Sequence, residues 1–220
     1  MEQFVDLIES IKTHQGEGPD CGTSMLLLRF KTCNKHCPYC DTLVKMRNSI
    51  SSEYKFNDIQ NVLNESKAGL LLTGGEPTFS TNYQDSIDLL NDLNYPIANV
   101  ESNGYNLRSL IKEVDPSKNI KYMYSPKIFN QVDFDSEVSN SEQLINIENV
   151  YFKIVITPDD NLTNNYLYFL SKYEINQRVY LMPEGSTREK LIENSGYVFD
   201  LCEEYKFNFS SRDHIIYGFI

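Results

Sequence analysis

The sequence predicts an α/β protein with a largely parallel sheet, arranged as a partial, open βα barrel. Three observations carry that expectation. Short apolar runs of strand length alternate with amphipathic, helix-like segments along the chain. The 220 residues leave room for about six or seven βα units, short of the eight of a closed barrel. Polar motifs recur just after the apolar runs, where barrels place their chemistry.

Taken in order, Val5 to Ile11 and Ser24 to Phe30 read as strands, and a cysteine-rich loop follows the second directly. Phe56, Ile59, Val62 and Leu63 recur at helical spacing over Phe56 to Asn64, with Asn57 as the expected cap. Gly69 to Thr73 reads as a buried strand, followed by Gly74-Gly75-Glu76-Pro77. A helix over Tyr83 to Leu93 leads into a strand over Ile97 to Glu101, and Leu107 to Val114 leads through Asp115-Pro116 to Tyr122 to Tyr124. The alternation continues with a strand over Val150 to Thr157, a helix over Thr163 to Tyr173, a strand over Arg178 to Met182, a helix over Arg188 to Tyr205 and a final strand over Asp213 to Gly218. The polar segment 129–149 reads as an irregular insertion, and 1–220 as a single domain.

Composition narrows the function classes. Apolar residues make up 40% and aromatics 12%, which argues against intrinsic disorder. The formal net charge of −11 disfavours nucleic acid as the main partner. No apolar run approaches the roughly 18 residues of a membrane span. The segment Met1-Glu2-Gln3-Phe4-Val5-Asp6 has neither a basic nor an apolar export region, so a cytoplasmic location is expected. Five cysteines, three of them within eight residues, do not make a secreted disulfide framework.

Cys33, Cys37 and Cys40 have the spacing C-x3-C-x2-C. Three soft ligands at this reach suit an iron–sulfur cluster or zinc. A structural zinc site wants four ligands, and His36 lies between two of the cysteines rather than at the spacing of a second ligand pair. A 4Fe–4S cube held by three thiolates leaves one iron open to a chelating ligand. Downstream, Gly74 and Gly75 allow the backbone to approach a ligand closely, and alone they would more simply make an ordinary turn. Glu101-Ser102-Asn103-Gly104 and Ser125-Pro126-Lys127 place polar side chains at two further strand ends, where capped turns are the plainer reading.

The cysteine motif, with Tyr39 before its last cysteine, resembles the signature of the radical S-adenosylmethionine (SAM) superfamily, and Gly74-Gly75-Glu76-Pro77 resembles its SAM amino-group motif. In that superfamily SAM chelates the open iron and is split to a 5′-deoxyadenosyl radical. The resemblance implies that Cys33, Cys37 and Cys40 hold a 4Fe–4S cluster. It makes Tyr39, Gly74, Gly75, Glu76, Ser102, Asn103, Ser125 and Lys127 candidate SAM contacts.

His14-Gln15-Gly16-Glu17-Gly18-Pro19, Arg29 and Cys40-Asp41-Thr42 together look like the 7-carboxy-7-deazaguanine synthase family of the queuosine and 7-deazapurine pathway. That resemblance implies a ring contraction of 6-carboxy-5,6,7,8-tetrahydropterin with loss of ammonia. By matched position, Gln15, Glu17, Arg29 and His214 would hold the pterin, with Glu17 and His214 close to the reacting centre. Bidentate geometry suits Arg29 to a carboxylate. Thr42 would coordinate Mg2+, with Asp41 supporting it. The resemblance further implies an external electron donor such as a flavodoxin or ferredoxin, and a homodimer.

The chain departs from that family in Thr78-Phe79-Ser80 after the Gly-Gly-Glu-Pro run, and in a short apolar C-terminal segment. Cys21 and Cys202 match no motif, and Cys21 is expected as a free thiol. Two other readings stay open. One is an activase that installs a glycyl radical on a partner protein; the other is a non-catalytic protein whose metal only stabilises the fold.

Overall fold

The structure is a computed structural model that describes residues 2–40, 49–158 and 160–219. The chain forms two compact units, Met1–Gln15 with Gly22–Tyr122, and Gly16–Cys21 with Met123–Ile220.

In the first unit, β1 (Phe4–Leu7) pairs antiparallel with β4 (Ser52–Lys55), and β2 (Glu9–His14) pairs antiparallel with β3 (Ser24–Phe30). The single strand expected over Val5 to Ile11 is thus two strands, broken around Ile8, whose N–H donates to the Arg29 carbonyl at 2.8 Å. From β3 inward the pairing is parallel, through β5 (Gly69–Gly74) to β6 (Ala98–Ser102). Met25 to Leu28 and Leu70 to Leu72 are buried throughout. Such near-continuous apolar runs mark strands covered on both faces.

Helices α1 (Phe56–Ser66), α2 (Tyr83–Asp92) and α3 (Leu107–Glu113) belong to this unit. α1 buries Phe56, Ile59 and Leu63 and ends on Lys67 in the left-handed region at φ 54°. Asn57 is not its cap. Lys55 occupies that place with no side-chain hydrogen bond, so Asn57 lies inside the first turn.

The chain passes between the units in β7 (Ile120–Tyr124). In the second unit β8 (Val150–Ile156), β9 (Val179–Pro183) and β10 (Asn208–Phe209) pair in parallel. α4 (Gln131–Leu144), α5 (Asn161–Leu170), α6 (Arg188–Tyr205) and α7 (Asp213–Tyr217) complete it. The α/β class with a largely parallel, open sheet is therefore as expected, and neither unit's strand order closes into a barrel.

Two further expectations are corrected. Residues 129–149 are not irregular, because α4 fills most of them and Asn130 caps it by accepting from the Asp133 N–H at 3.0 Å. Its buried positions include Glu137, Ser141 and Leu144. Two of these are polar, which hides the apolar period that marks a helix. The final strand expected over Asp213 to Gly218 is the helix α7, ended by Gly218 at φ 68°. Short apolar runs such as Ile215-Ile216 do not distinguish strand from helix by themselves.

Candidate active site

The cysteine loop leaves β3, and the turn after β5 holds its first residues. The Gly75 N–H donates to the Phe30 carbonyl and the Glu76 N–H to the Thr32 carbonyl, both at 2.8 Å. A Cβ on Gly75 would collide with the Thr32 carbonyl, and Gly74 sits at φ 100°. The two glycines are needed to lock strand end to loop, whatever else they approach. Asn82, at the start of α2, tightens the lock. Its Nδ2 donates to the carbonyls of Thr32 at 3.0 Å and Glu76 at 2.7 Å.

Glu76 is buried and sits at the centre of a ring of neutral donors. Oε1 accepts from the Thr78 hydroxyl at 2.6 Å, the Thr78 N–H at 3.1 Å and the Ser102 hydroxyl at 2.7 Å, while Oε2 accepts from the Asn103 N–H at 2.6 Å. Burial nevertheless pushes its carboxyl above the ordinary value, against the pull of these four bonds. The Asn103 side chain in turn donates to Asn34 Oδ1 at 2.8 Å and lies 3.7 Å from Cys33 Sγ. Glu76, Asn103 and Cys33 therefore form one connected arrangement. Thr78, a departure from the family pattern, is here the residue that supplies two of the four donors.

Cys37 is buried, and Cys33 and Cys40 are half-buried. Burial raises the Cys33 thiol. The Lys35 N–H opposes this at 3.4 Å, and the charges of Glu76, Cys37 and Cys40 add to the rise. Cys37 and Cys40 lie close enough to Cys33 to disfavour its ionisation, a situation that bound iron relieves. Among the described residues no three His, Cys, Asp or Glu side chains converge on a single ion. Three thiols on one short loop are the donor chemistry that a cube takes at separate corners.

In the second unit the segment Gly16–Cys21 packs on the C-terminal residues. The Asp213 N–H donates to the Gly16 carbonyl at 3.0 Å, and the Gly18 N–H donates to Ser210 Oγ at 2.9 Å. A Cβ on Gly16 would strike the His214 ring, so glycine there lets His214 come close. Glu17 is the centre of this region. Its carboxylate meets Lys153 Nζ at 2.5 Å, Arg212 Nε at 2.9 Å and His214 Nε2 at 3.9 Å, and the side chains of all four are at most 18% exposed. Burial would raise the Glu17 carboxyl, but Lys153, Arg212 and His214 outweigh it and hold Glu17 well below the usual carboxylate range. It is an ionised acceptor fixed by two cations.

The other expected residues are distributed as follows. Gln15 is buried in the first unit, its Nε2 donating to Asn99 Oδ1 at 3.0 Å and Glu101 Oε1 at 3.3 Å. Arg29 forms an ion pair with Glu9, its cross-strand neighbour on β2. Ser125 and Lys127 are joined in the second unit by a 2.7 Å hydrogen bond from Lys127 Nζ to Ser125 Oγ. Tyr39 is half-buried in the cysteine loop. Asp41 and Thr42 lie outside the described residues. Cys21 carries a free thiol that donates to Asp213 Oδ2 at 3.1 Å, and burial first and Asp213 second push it up to about 12.

Lys153 and Arg212 escaped notice in the sequence, although each left a trace. Lys153 is the one charge in the otherwise apolar run Val150-Tyr151-Phe152-Lys153-Ile154-Val155-Ile156, and a buried lysine implies a partner. Arg212 is two residues from His214. Asn82 left no comparable trace, because a polar residue at a helix start looks like an ordinary cap.

With this geometry in place, the comparisons with known proteins are direct. The family model of the 4Fe–4S single cluster domain matches residues 14–149, and the chain belongs to that family. The likeness read from the motifs is also borne out, since six curated relatives are named 7-carboxy-7-deazaguanine synthase. That of Haemophilus influenzae is 28% identical over 114 residues, 52% of this chain and 51% of its own. The chain thus spans about half the length of that relative. That of Hyperthermus butylicus is 22% identical over 96% of this chain and 91% of its own.

Among solved structures, QueE of Escherichia coli superposes with a TM-score of 0.61 at 16% identity, covering 96% of this chain and 95% of that one. SuiB of Streptococcus suis bound to S-adenosylmethionine gives a TM-score of 0.56 at 15% identity, covering 84% of this chain and 48% of that one. The chain thereby shares its fold with both of these structures. Among the described residues no helix is long and apolar enough to cross a membrane.

Proposed function

We propose that the chain is a 7-carboxy-7-deazaguanine synthase, a carbon–nitrogen lyase that contracts the ring of 6-carboxy-5,6,7,8-tetrahydropterin and releases ammonia. The observation that carries the reading is Glu17 held ionised by Lys153, Arg212 and His214 in the Gln15-Gly16-Glu17-Gly18 run. Binding SAM requires no such run. A carboxylate kept ionised only accepts hydrogen bonds, which suits the N–H edge of a pterin. Two cations beside one carboxylate also suit a substrate that carries a carboxylate of its own.

The cluster on Cys33, Cys37 and Cys40, with SAM, supplies when bound the one-electron chemistry that starts the reaction. The chain's own residues bind and orient. Ser102 and Asn103, fixed by Glu76, and Ser125 and Lys127 hold SAM, with Tyr39, Gly74 and Gly75 beside it. Gln15, Glu17, Arg29 and His214 hold the substrate, and Thr42 takes the Mg2+. A flavodoxin or ferredoxin supplies the electron, the cytoplasm is the compartment and a homodimer the assembly. The relatives' shared name supports this reading over a glycyl-radical activase.

The test is an anaerobic assay of reconstituted protein with SAM, a reductant, Mg2+ and 6-carboxytetrahydropterin, with products read by mass spectrometry. Many turnovers of 7-carboxy-7-deazaguanine per SAM are expected. Cleavage of SAM with the pterin untouched would overturn the substrate assignment and favour a protein-activating role.

A further inference from the structure

Helix α4 contributes a buried carboxylate that has no place in the reading so far. Glu137 is 2% exposed, and its oxygens are aimed at the strand end that carries Ser125 and Lys127. Oε2 accepts from the Tyr124 hydroxyl, the last residue of β7, and from Asn140 Nδ2 at 3.3 Å. Oε1 accepts from the Lys127 N–H at 3.2 Å. One side chain therefore clasps the residue before Ser125-Pro126-Lys127 and the last residue of that turn. Between those two points Lys127 Nζ reaches back to Ser125 Oγ at 2.7 Å.

The helix is itself anchored at this height. Ser141 Oγ, one turn after Glu137, lies 2.5 Å from the Tyr166 hydroxyl of α5 and donates to the Glu137 carbonyl at 2.6 Å. Tyr124 packs edge-on against Phe152 of β8, with ring centroids 5.5 Å apart. The carboxylate thus reaches the turn from a braced helix. A carboxylate buried so deeply costs desolvation, and it is retained at that cost in a fold that an apolar residue would stabilise more simply.

We infer that Glu137 is a positioning residue that fixes the Ser125-Pro126-Lys127 turn for SAM, acting through Tyr124 and the Lys127 backbone. The inference rests on the proposed function, which makes Ser125 and Lys127 SAM contacts. Without the clasp the turn has more conformations to lose on binding, so SAM affinity falls while the chemistry of the bound complex persists.

The experiment measures SAM dissociation constants by equilibrium dialysis on anaerobically reconstituted wild-type, Glu137→Ala and Tyr124→Phe proteins, with cluster absorption and melting temperature read in parallel. Glu137→Ala is expected to weaken SAM binding about tenfold or more and Tyr124→Phe by less, both with unchanged iron content. The KM for SAM rises accordingly, whereas kcat at saturating SAM and the KM for the second substrate stay within about twofold. A lower melting temperature with unchanged SAM affinity would make Glu137 merely structural and overturn the inference. If Glu137→Ala does not fold, Tyr124→Phe decides by the same criterion. Failure of wild-type protein to bind SAM at all would instead overturn the proposed function, which keeps the two failures apart.

Discussion

Glu76 is buried and Glu17 nearly so, with its side chain 12% exposed; each is at the heart of a candidate site, and their carboxyls are driven in opposite directions. Around Glu76 the first unit places hydroxyls and backbone amides, which satisfy every oxygen but bring no charge, so burial wins and the carboxyl rises. Around Glu17 the second unit places Lys153, Arg212 and His214, and their charges defeat the same burial. Here the neutral donors pull the Glu76 carboxyl down by less than burial raises it, whereas the charges around Glu17 outweigh burial. The two regions accordingly suit different tasks. The Glu76 ring is a framework that ties strand ends to a loop, and the Glu17 group is a charged cluster that, under the proposed function, receives the substrate.

The largest expected effect is from applying the same isosteric substitution to both glutamates. Glu17→Gln leaves Lys153 and Arg212 buried against a neutral amide and should destabilise the protein by about 3 kcal/mol. In thermal denaturation that is a fall of roughly 6–12 °C. Glu76→Gln turns an amide nitrogen toward existing donors but removes a charge that burial already disfavours, and should cost about 1–2 kcal/mol. The reverse order of melting temperatures would break the comparison.

The second effect is in pH dependence. The folded-state value of Glu17 lies below its unfolded value, so its contribution is fully present above the ordinary 4.5 and is lost as pH falls below that. The folded-state value of Glu76 lies above the same ordinary 4.5, so its contribution is greatest below that value and declines as pH rises through the folded value. Urea titrations across pH should show Glu17→Gln with a flatter acid limb than wild type, and Glu76→Gln with no flattening there. An acid limb equally steep in wild type and Glu17→Gln would refute the charge argument.

The smallest effect sharpens the picture of Glu76 as one member of a shared ring. Ser102→Ala removes one of four neutral donors and should cost about 1 kcal/mol, with iron content unchanged. Loss of iron in that variant would mean that the ring reaches the cysteines more directly than through Asn103.

The fold was legible where apolar patterning speaks for itself. β3 coincides with the expected strand, and β5, β8 and α6 agree to within a residue, because their apolar runs or spacing are long and bounded by turns. α4 was not legible, since polar residues occupy its buried face. Of the site, the cysteines and Glu17 stood out by spacing and motif. Lys153, Arg212 and Asn82 did not, because each acts through a partner distant in sequence, and a single chain read end to end does not announce such pairs.

The lock of Gly75 onto Phe30 and Glu76 onto Thr32 joins residues more than forty positions apart. Iron bound at Cys33 would grip the same loop that this lock seats, so the metal's binding energy is shared with the pairing of β3 and β5. By reciprocity, whatever firms that strand pair also firms the cluster's hold. Oxidative loss of the cluster should then register as faster amide exchange at Leu70 to Leu72, deep in the sheet, as well as in the loop itself.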